Sequence, residues 1–390
     1  MKIARTNRLL VGAAALATVL TLSACGSDDN SGSSTSTSAG TSAATSAASG
    51  DGSSAASATG DSPVTFECAD GELRTSGSTA QGKAMEEWIL AFNDKCGASL
   101  TPYGGGGSGQ GITDFTNNNS EIAGSDSALN ADQAAAAKSS RCGGADAINL
   151  PMVTGPIAIA YNVPGVDSLV VNADVLAKIF DGKITNWNDP ALKALNPDAT
   201  LPDLALESVH RQEDSGTTEN FTKFLKAAAP DSWPYDPAKK WVGQGGTSAQ
   251  ASDGVAKEVA GREGAIGYLE WGFATDNDLA IAKVDTGNGT PVELTAESAG
   301  KAVDAATVVG TGMDVALKLD YATTEEGAYP IILVTYHIVC SANNGEKLPL
   351  IKAFLGYVAT EGQDALAGVG AAPLPTAIQQ KVVASIQALS

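Results

Sequence analysis

Between residues 67 and 390, short apolar runs rich in β-branched residues end in glycine- or serine-rich turns, and stretches of helical spacing follow. Strand-like and helix-like segments that alternate along a whole chain imply the α/β class, because each helix must bury one face on a sheet. Glu72–Thr75 leads to Met85, Trp88, Ile89 and Phe92, which repeat at helical spacing. Ser99–Tyr103 reads as a short strand running into Gly104–Gly107, while Pro156–Val163 and Ile331–Cys340 read as apolar strands. Ile378, Val382, Ile386 and Leu389 share one face of a last helix. Roughly 320 residues suffice for two lobes. A new run opens at Asp174–Pro197 after Val163, and the strand at Ile331 can return to the first lobe, so a two-lobed cleft with crossover strands is expected. Ligands of such sheets bind at the carboxyl ends of the strands.

The first 24 residues have the build of a targeting segment. Lys2, Arg5 and Arg8 precede the apolar stretch Leu9–Leu22, which is short for a membrane span. Leu22-Ser-Ala-Cys25 resembles the lipobox of bacterial lipoproteins, which implies a lipidated Cys25 and anchoring on the extracytoplasmic face of the cell membrane. Residues 26–62 hold little beyond Ser, Thr, Ala, Gly and Asp. Such a stretch cannot bury enough apolar surface to offset chain entropy, so residues 25–62 are expected to be a lipidated, disordered linker. A flexible coil of that length spans roughly 30–35 Å.

Removing residues 1–24 takes away three cations and no acids, leaving 21 cations against 44 acids. That balance argues against nucleic acid, which needs a basic face. It also means that an anionic ligand must be held by short-range oriented donors in a water-poor cleft. With Cys25 set aside, Cys68, Cys96, Cys142 and Cys340 remain, an even count that outside the cytoplasm suggests two disulfides in one of three pairings. The expected pairing is Cys96–Cys142, joining a helix end to a later loop, which leaves Cys68–Cys340. Neither a Cys-x-x-Cys motif nor a histidine cluster is present, so neither a metal nor another cofactor is expected.

Four turns carry the chemistry. Arg211-Gln-Glu-Asp-Ser-Gly-Thr217 opens an amphipathic helix with Phe221, Phe224 and Leu225 on one face, presenting a cation, two hydroxyls and free backbone N–H groups together. That is anion-receptor chemistry. Glu213 can hold the guanidinium from behind; the bland alternative for Arg211 is a surface ion pair. Ser78-Thr79 precedes another helix, where simple capping would also explain a hydroxyl. Gly104-Gly-Gly-Gly-Ser-Gly-Gln-Gly111 can fold into a nest of N–H groups with Ser108 as helix cap. Its Gly-x-Gly-x-x-Gly spacing matches a dinucleotide fingerprint on paper, and a Walker loop fails because Gln110-Gly111 stand where Lys and Ser or Thr are required. Gly124-Ser125-Asp126 puts a carboxylate beside an anion site, unless Asp126 merely caps a helix near 131–139. Phosphate keeps at least one proton near neutral pH and sulfate none, so a carboxylate there accepts from the first and repels the second. Catalytic groups are scarce: His210 adjoins Arg211, His337 lies in an apolar strand, and no Gly-x-Ser-x-Gly elbow exists, so an enzyme is not expected.

Taken together, Ser76-Gly-Ser-Thr79 with Trp88, Gly107-Ser108-Gly109, Gly124-Ser125-Asp126, Arg211-x-x-x-Ser215-Gly-Thr217, "LAKIFDGKITNWNDP" at 176–190 and "GAIGY" at 264–268 resemble the phosphate-binding lipoproteins of the Pst ABC importer, closest to actinobacterial versions. The resemblance implies a type II periplasmic-binding-protein fold, two Rossmann-like lobes around a ligand cleft, with residues 63–162 and 292–390 in lobe 1 and 163–291 in lobe 2. Crossovers would fall near Tyr161–Val163 and Pro291–Glu293. It implies that Ser78, Thr79, Ala80, Ser108, Asp126, Arg211, Ser215, Gly216 and Thr217 bind phosphate, with Glu213 behind Arg211. A membrane permease partner is implied too, and with no oligomeric signal in the sequence a monomer is the default expectation. Three positions depart from the family pattern: Ala80 where an aromatic is common, Glu213 in place of Asp, and Asp214 in place of Gly. A binding protein for another oxyanion such as arsenate, or an exported phosphoester hydrolase, is the alternative.

Overall fold

The computed structural model describes residues 66–390. The expected targeting segment, Cys25 and the linker lie outside these residues. No helix among them is long and apolar enough to cross a membrane.

A nine-stranded mixed sheet organises the chain, in the order Gly104–Gly106, Thr75–Gly77, Ile122–Ser125, Ile332–Cys340, Ala147–Asn162, Ala265–Glu270, Glu207–Arg211, Thr247–Ala249, with Ala280–Ile281 also paired to Ala147–Asn162. The strands at each end of this order pair in parallel, and Ala147–Asn162 and Ile332–Cys340 pair antiparallel with their neighbours. Strand Ala147–Asn162 belongs to both halves. Its residues up to Pro156 pair with Ile332–Cys340, and Ile157–Asn162 pair with Ala265–Glu270. Nearly every residue of both strands is buried, as expected of strands covered on both faces.

Two main cores follow from this division. Leu73, Met85, Trp88, Phe92, Ile122, Leu150, Val153, Phe354 and Val382 form one. Ile157, Ile159, Phe180, Trp187, Val209, Phe221, Trp233, Ile266 and Tyr268 form the other. Val292, Leu294, Ala299 and Val303 also join this second core, as do Ile331–Leu333. Between these two groups Val308, Met313, Val315 and Leu317 pack with the first core, so the chain visits the first core and returns to the second before strand Ile332–Cys340.

The helices agree with the expected spacing. Met85, Trp88, Ile89 and Phe92 line the buried face of Gly82–Cys96, and Ile378, Val382 and Ile386 that of Thr376–Ala388. The short strand expected at Ser99–Tyr103 lies instead at Gly104–Gly106, paired with Thr75–Gly77.

The disulfide pairing differs from expectation. The bonds are Cys68–Cys96 and Cys142–Cys340, with Cα–Cα distances of 5.2 and 5.3 Å, so Cys96–Cys142 and Cys68–Cys340 are both wrong. The reason is which face of the sheet each cysteine occupies. Successive strand residues point to opposite faces. Val339 packs into the core that borders Cys96, whereas Ile338 and Cys340 pack with Cys142. The sheet itself separates Cys96 from Cys142.

Candidate anion site

The four turns singled out in the sequence converge. Gly77, Ser125 and Arg211 end parallel strands, and helices Ser108–Thr116 and Gly216–Ala228 begin where the chain turns back. Gly77 needs its glycine: its φ is +135°, and an added Cβ would lie 2.1 Å from the Gly124 carbonyl oxygen. The close approach of these two turns sets Ser78 beside Asp126. Ser108 is the first residue of its helix, and Gly107 takes the cap position expected of it.

Asp126 is the hub of one side. It is buried, and Ser78 Oγ (2.6 Å) and Thr335 Oγ1 (2.7 Å) donate to its Oδ1, while Ser108 Oγ (3.0 Å) donates to Oδ2. A carboxylate offers about four lone-pair sites. Three are filled by this protein, so the remaining acceptor capacity is on Oδ2. Burial pushes its pKa up to about 6, against the lowering effect of the three hydroxyls, and Glu270 raises it further. Asp126 caps no helix, since Asn130 closes a capping box with Gln133 at the start of Ala131–Ser140.

Arg211 is the hub of the other side, with its side chain 1% exposed. All five of its N–H groups have acceptors. Nε donates to Glu213 Oε1 at 2.8 Å, and Nη2 reaches the same oxygen. Nη1 donates to Thr217 Oγ1 and Ser252 Oγ, both at 3.1 Å, and Nη2 to Thr79 Oγ1 at 2.6 Å. Glu213 is anchored in turn by the Ala251 N–H, 3.2 Å from Oε2. Glu213 thus ties the guanidinium to the start of helix Ala251–Gly261 and fixes its plane.

Contacts across the cleft bring the two hubs together. Thr79 touches Arg211 and Ser252. The Gly109 N–H donates to the Asp214 carbonyl at 3.0 Å, and Asn220 Nδ2 to the Asp126 carbonyl at 2.7 Å. Lys223 Nζ lies 3.1 Å from Ser127 Oγ. Ser215 caps helix Gly216–Ala228, accepting from the Thr218 N–H at 3.3 Å, and Gly216 lies against Ser108 and Asp126. The Asp214 side chain is exposed, so the extra carboxylate faces solvent. The Ala80 N–H is turned to Ser78 Oγ at 3.1 Å.

Four further residues complete the cluster and had not been singled out. Ser252 opens helix Ala251–Gly261 after a Gly-rich turn, the same hydroxyl-at-helix-start pattern seen elsewhere. Glu270 ends the strand that contains most of the "GAIGY" run. Asn220 is one turn into its helix. Thr335 sits inside a strand of β-branched residues, where a threonine carries no signal at all.

The two histidines stand apart from nucleophile chemistry. His210 stacks on Trp241 with ring centroids 4.7 Å apart, and its Nδ1 lies 3.0 Å from the Arg211 carbonyl. His337 is buried against Trp88 and Phe354, its Nε2 is paired with Gln81, and burial pushes its pKa down to about 3.

Comparison with known proteins identifies the family and the fold. A family model described as a PBP superfamily domain matches residues 38–361. The phosphate-binding protein PstS 3 of Mycobacterium tuberculosis is 38% identical over 376 residues, covering 95% of both chains. PstS 2 of the same organism is 39% identical over 326 residues, 82% of this chain and 87% of its own. PstS of Methanocaldococcus jannaschii is 31% identical over 75% of this chain and 79% of its own. Among solved structures, a high affinity periplasmic phosphate-binding protein (PfluDING) bound with phosphate superposes with a TM-score of 0.66 at 23% identity, covering 80% of this chain and 93% of that one. The fold is that of type II periplasmic binding proteins. The order of motifs, the paired half-sheets and the extent of these matches lead to one conclusion: this chain belongs to the PstS phosphate-binding proteins of the PBP superfamily.

Proposed function

We propose that this protein is an extracytoplasmic receptor that closes two lobes on inorganic phosphate and delivers it to the membrane permease of an ABC importer. The observation that carries this is Asp126, a buried carboxylate with one acceptor site left, facing the N-terminus of helix Gly216–Ala228. A protonated oxyanion satisfies that acceptor and a fully ionised one does not. Relatives named as phosphate-binding proteins support the same ligand.

In this account lobe 1 presents Ser78, Thr79, Ala80, Ser108 and Asp126, and lobe 2 presents Arg211, Ser215, Gly216 and Thr217. The ligand replaces Thr79 on Arg211 Nη2, exchanging a neutral hydroxyl for a charged oxygen and gaining a charge-assisted bond. Ser78 and Ser108 rotate toward the ligand as its proton takes over part of Asp126. The protein performs no chemistry on phosphate and acts as a monomer. Lipid on Cys25 would hold it to the membrane, with the linker as a leash, as the Leu-Ser-Ala-Cys run implies.

The test is calorimetry near pH 7 on protein unfolded and refolded to strip bound anion. Tight one-to-one phosphate binding without a sulfate response is expected. Binding of neither anion, or of both alike, refutes the proposal. Asp126→Asn is expected to narrow the gap between phosphate and sulfate.

A further inference from the structure

Glu270 has no part in the site as read from the sequence, yet it is 4% exposed at the end of strand Ala265–Glu270. Its Oε1 accepts the Thr217 hydroxyl at 2.5 Å, and its Oε2 is buried with no hydrogen-bond partner among the described residues. Thr217 has a single hydroxyl proton. With that proton given to Glu270, the lone pairs of Thr217 Oγ1 are left for Arg211 Nη1, and the hydroxyl has nothing to donate to a ligand. The relay Arg211–Thr217–Glu270 therefore fixes the direction of every bond in it.

The charged surroundings of the pair Glu270–Asp126 are few. Helix Gly82–Cys96 contributes Lys83, which lines the same cavity of about 10 Å³ as Glu270 but gives its ammonium to the Gly272 carbonyl and Asp276. Helix Gly216–Ala228 contributes Thr217, and strand Glu207–Arg211 contributes Arg211 through it. Strand Ala147–Asn162 carries no charged residue, and His337 of strand Ile332–Cys340 is turned to Gln81. Around Asp126 stand the hydroxyls of Ser78, Ser108 and Thr335, with Tyr103 and Tyr321 feeling its charge. Lys223 is held by Ser127 and Glu219, and Glu213 is committed to Arg211 and the Ala251 N–H.

We propose that Glu270 is a positioning and specificity-determining residue of the anion site, holding Thr217 as an acceptor for Arg211 and setting the charge state of Asp126 across the cleft. This rests on the phosphate-receptor function proposed above. A group whose negative charge disfavours ionisation of Asp126 adjusts the pH range over which the site tells a protonated oxyanion from an unprotonated one. Glu270 is among the causes that hold the Asp126 pKa near 6.

The experiment is a carbon-13 NMR titration of the Asp126 carboxyl in the phosphate-free full-length protein, assigned with Asp126→Asn. Glu270→Gln and Thr217→Val both disturb the same hydrogen bond, but only Glu270→Gln removes the charge. In Glu270→Gln the Asp126 midpoint is expected to fall by roughly half a pH unit or more. In Thr217→Val the midpoint is expected to stay near the wild-type value, while calorimetry shows phosphate affinity reduced at least about threefold because Arg211 loses a fixed acceptor. An unmoved midpoint in Glu270→Gln overturns the electrostatic role, as does an equal fall in both variants. Unchanged affinity in Thr217→Val overturns the positioning role. Because the titration needs no ligand, failure of the wild-type protein to bind phosphate would be seen separately and would sink the function alone.

Discussion

Gly216→Ala isolates closure from folding. Gly216 is the first residue of helix Gly216–Ala228, so its backbone suits alanine, which favours helices over glycine by up to about 1 kcal/mol. The added Cβ, however, would lie 2.4 Å from Ser108 Oγ and 2.5 Å from both Asp126 Cβ and Oδ2. Ordinary contact needs about 1 Å more, and packed interiors do not absorb that without movement. The two sides of the cleft must stay apart by a similar amount. The Asn220–Asp126 and Gly109–Asp214 bonds, now 2.7 and 3.0 Å, would then pass out of hydrogen-bonding range. At about 1 kcal/mol each, their loss costs about 2 kcal/mol of closed state, or about 30-fold in affinity. Calorimetry with phosphate should show that loss, while a urea melt without ligand shows a midpoint equal to or above wild type. Affinity within about threefold of wild type would mean that Gly216 does not meet Asp126 in the bound form, and the closure geometry would be wrong.

Other outcomes follow from the same structure. Arg211→Ala should weaken phosphate binding at least tenfold, in line with about 1.5–3 kcal/mol for a charged hydrogen bond, and unchanged affinity in calorimetry would remove Arg211 from the site. Asp126 has a folded pKa near 6 against about 3.9 when unfolded, so between those values the folded protein holds a proton that the unfolded chain releases. Stability from this group therefore falls as pH rises from 4 to 6, by about 3 kcal/mol in all, and urea melts of phosphate-free protein should lose that slope in Asp126→Asn. A variant with the wild-type slope would refute it. Loss of Cys142–Cys340, which spans 198 residues, should cost more than loss of Cys68–Cys96, which spans 28, by about 5 against about 3.5 kcal/mol on loop closure. Denaturant midpoints of the two double Cys→Ala variants would check the order.

The legible parts of this chain were those written locally. Gly77-Ser78, Gly107-Ser108 and Arg211 to Thr217 each combine a strand end, a tight turn and a helix start, and Ser125-Asp126 a strand end and a turn, so both their place in the sheet and their chemistry show in a few adjacent residues. Ser252 carried the same mark and could have been found by it. Thr335 could not, because inside an apolar strand a threonine is also an ordinary β-former, and its bond to Asp126 depends on the register of Tyr336 against Ser125. The cysteines failed for a related reason. Spacing along the chain says nothing about which face of a sheet a residue joins, and the alternation of Ile338, Val339 and Cys340 decides the partner. Passage between the two cores leaves as little mark: Val292 and Val303 join the second, Val315 the first and Tyr329 the second again, without a marked change in composition.

Strand Ala147–Asn162 gives the cleft a dimension that surface contacts alone could not. A single ribbon holds nine residue pairs with Ile332–Cys340 on one side of Pro156 and Ile157, and six with Ala265–Glu270 on the other. The width of the mouth is thus gauged by covalent chain, in the way a leaf spring fixes the rest position of the two plates it joins. A tetrahedral ion only a few ångströms across can be judged by a molecule of this size because the calliper and the arms are one piece.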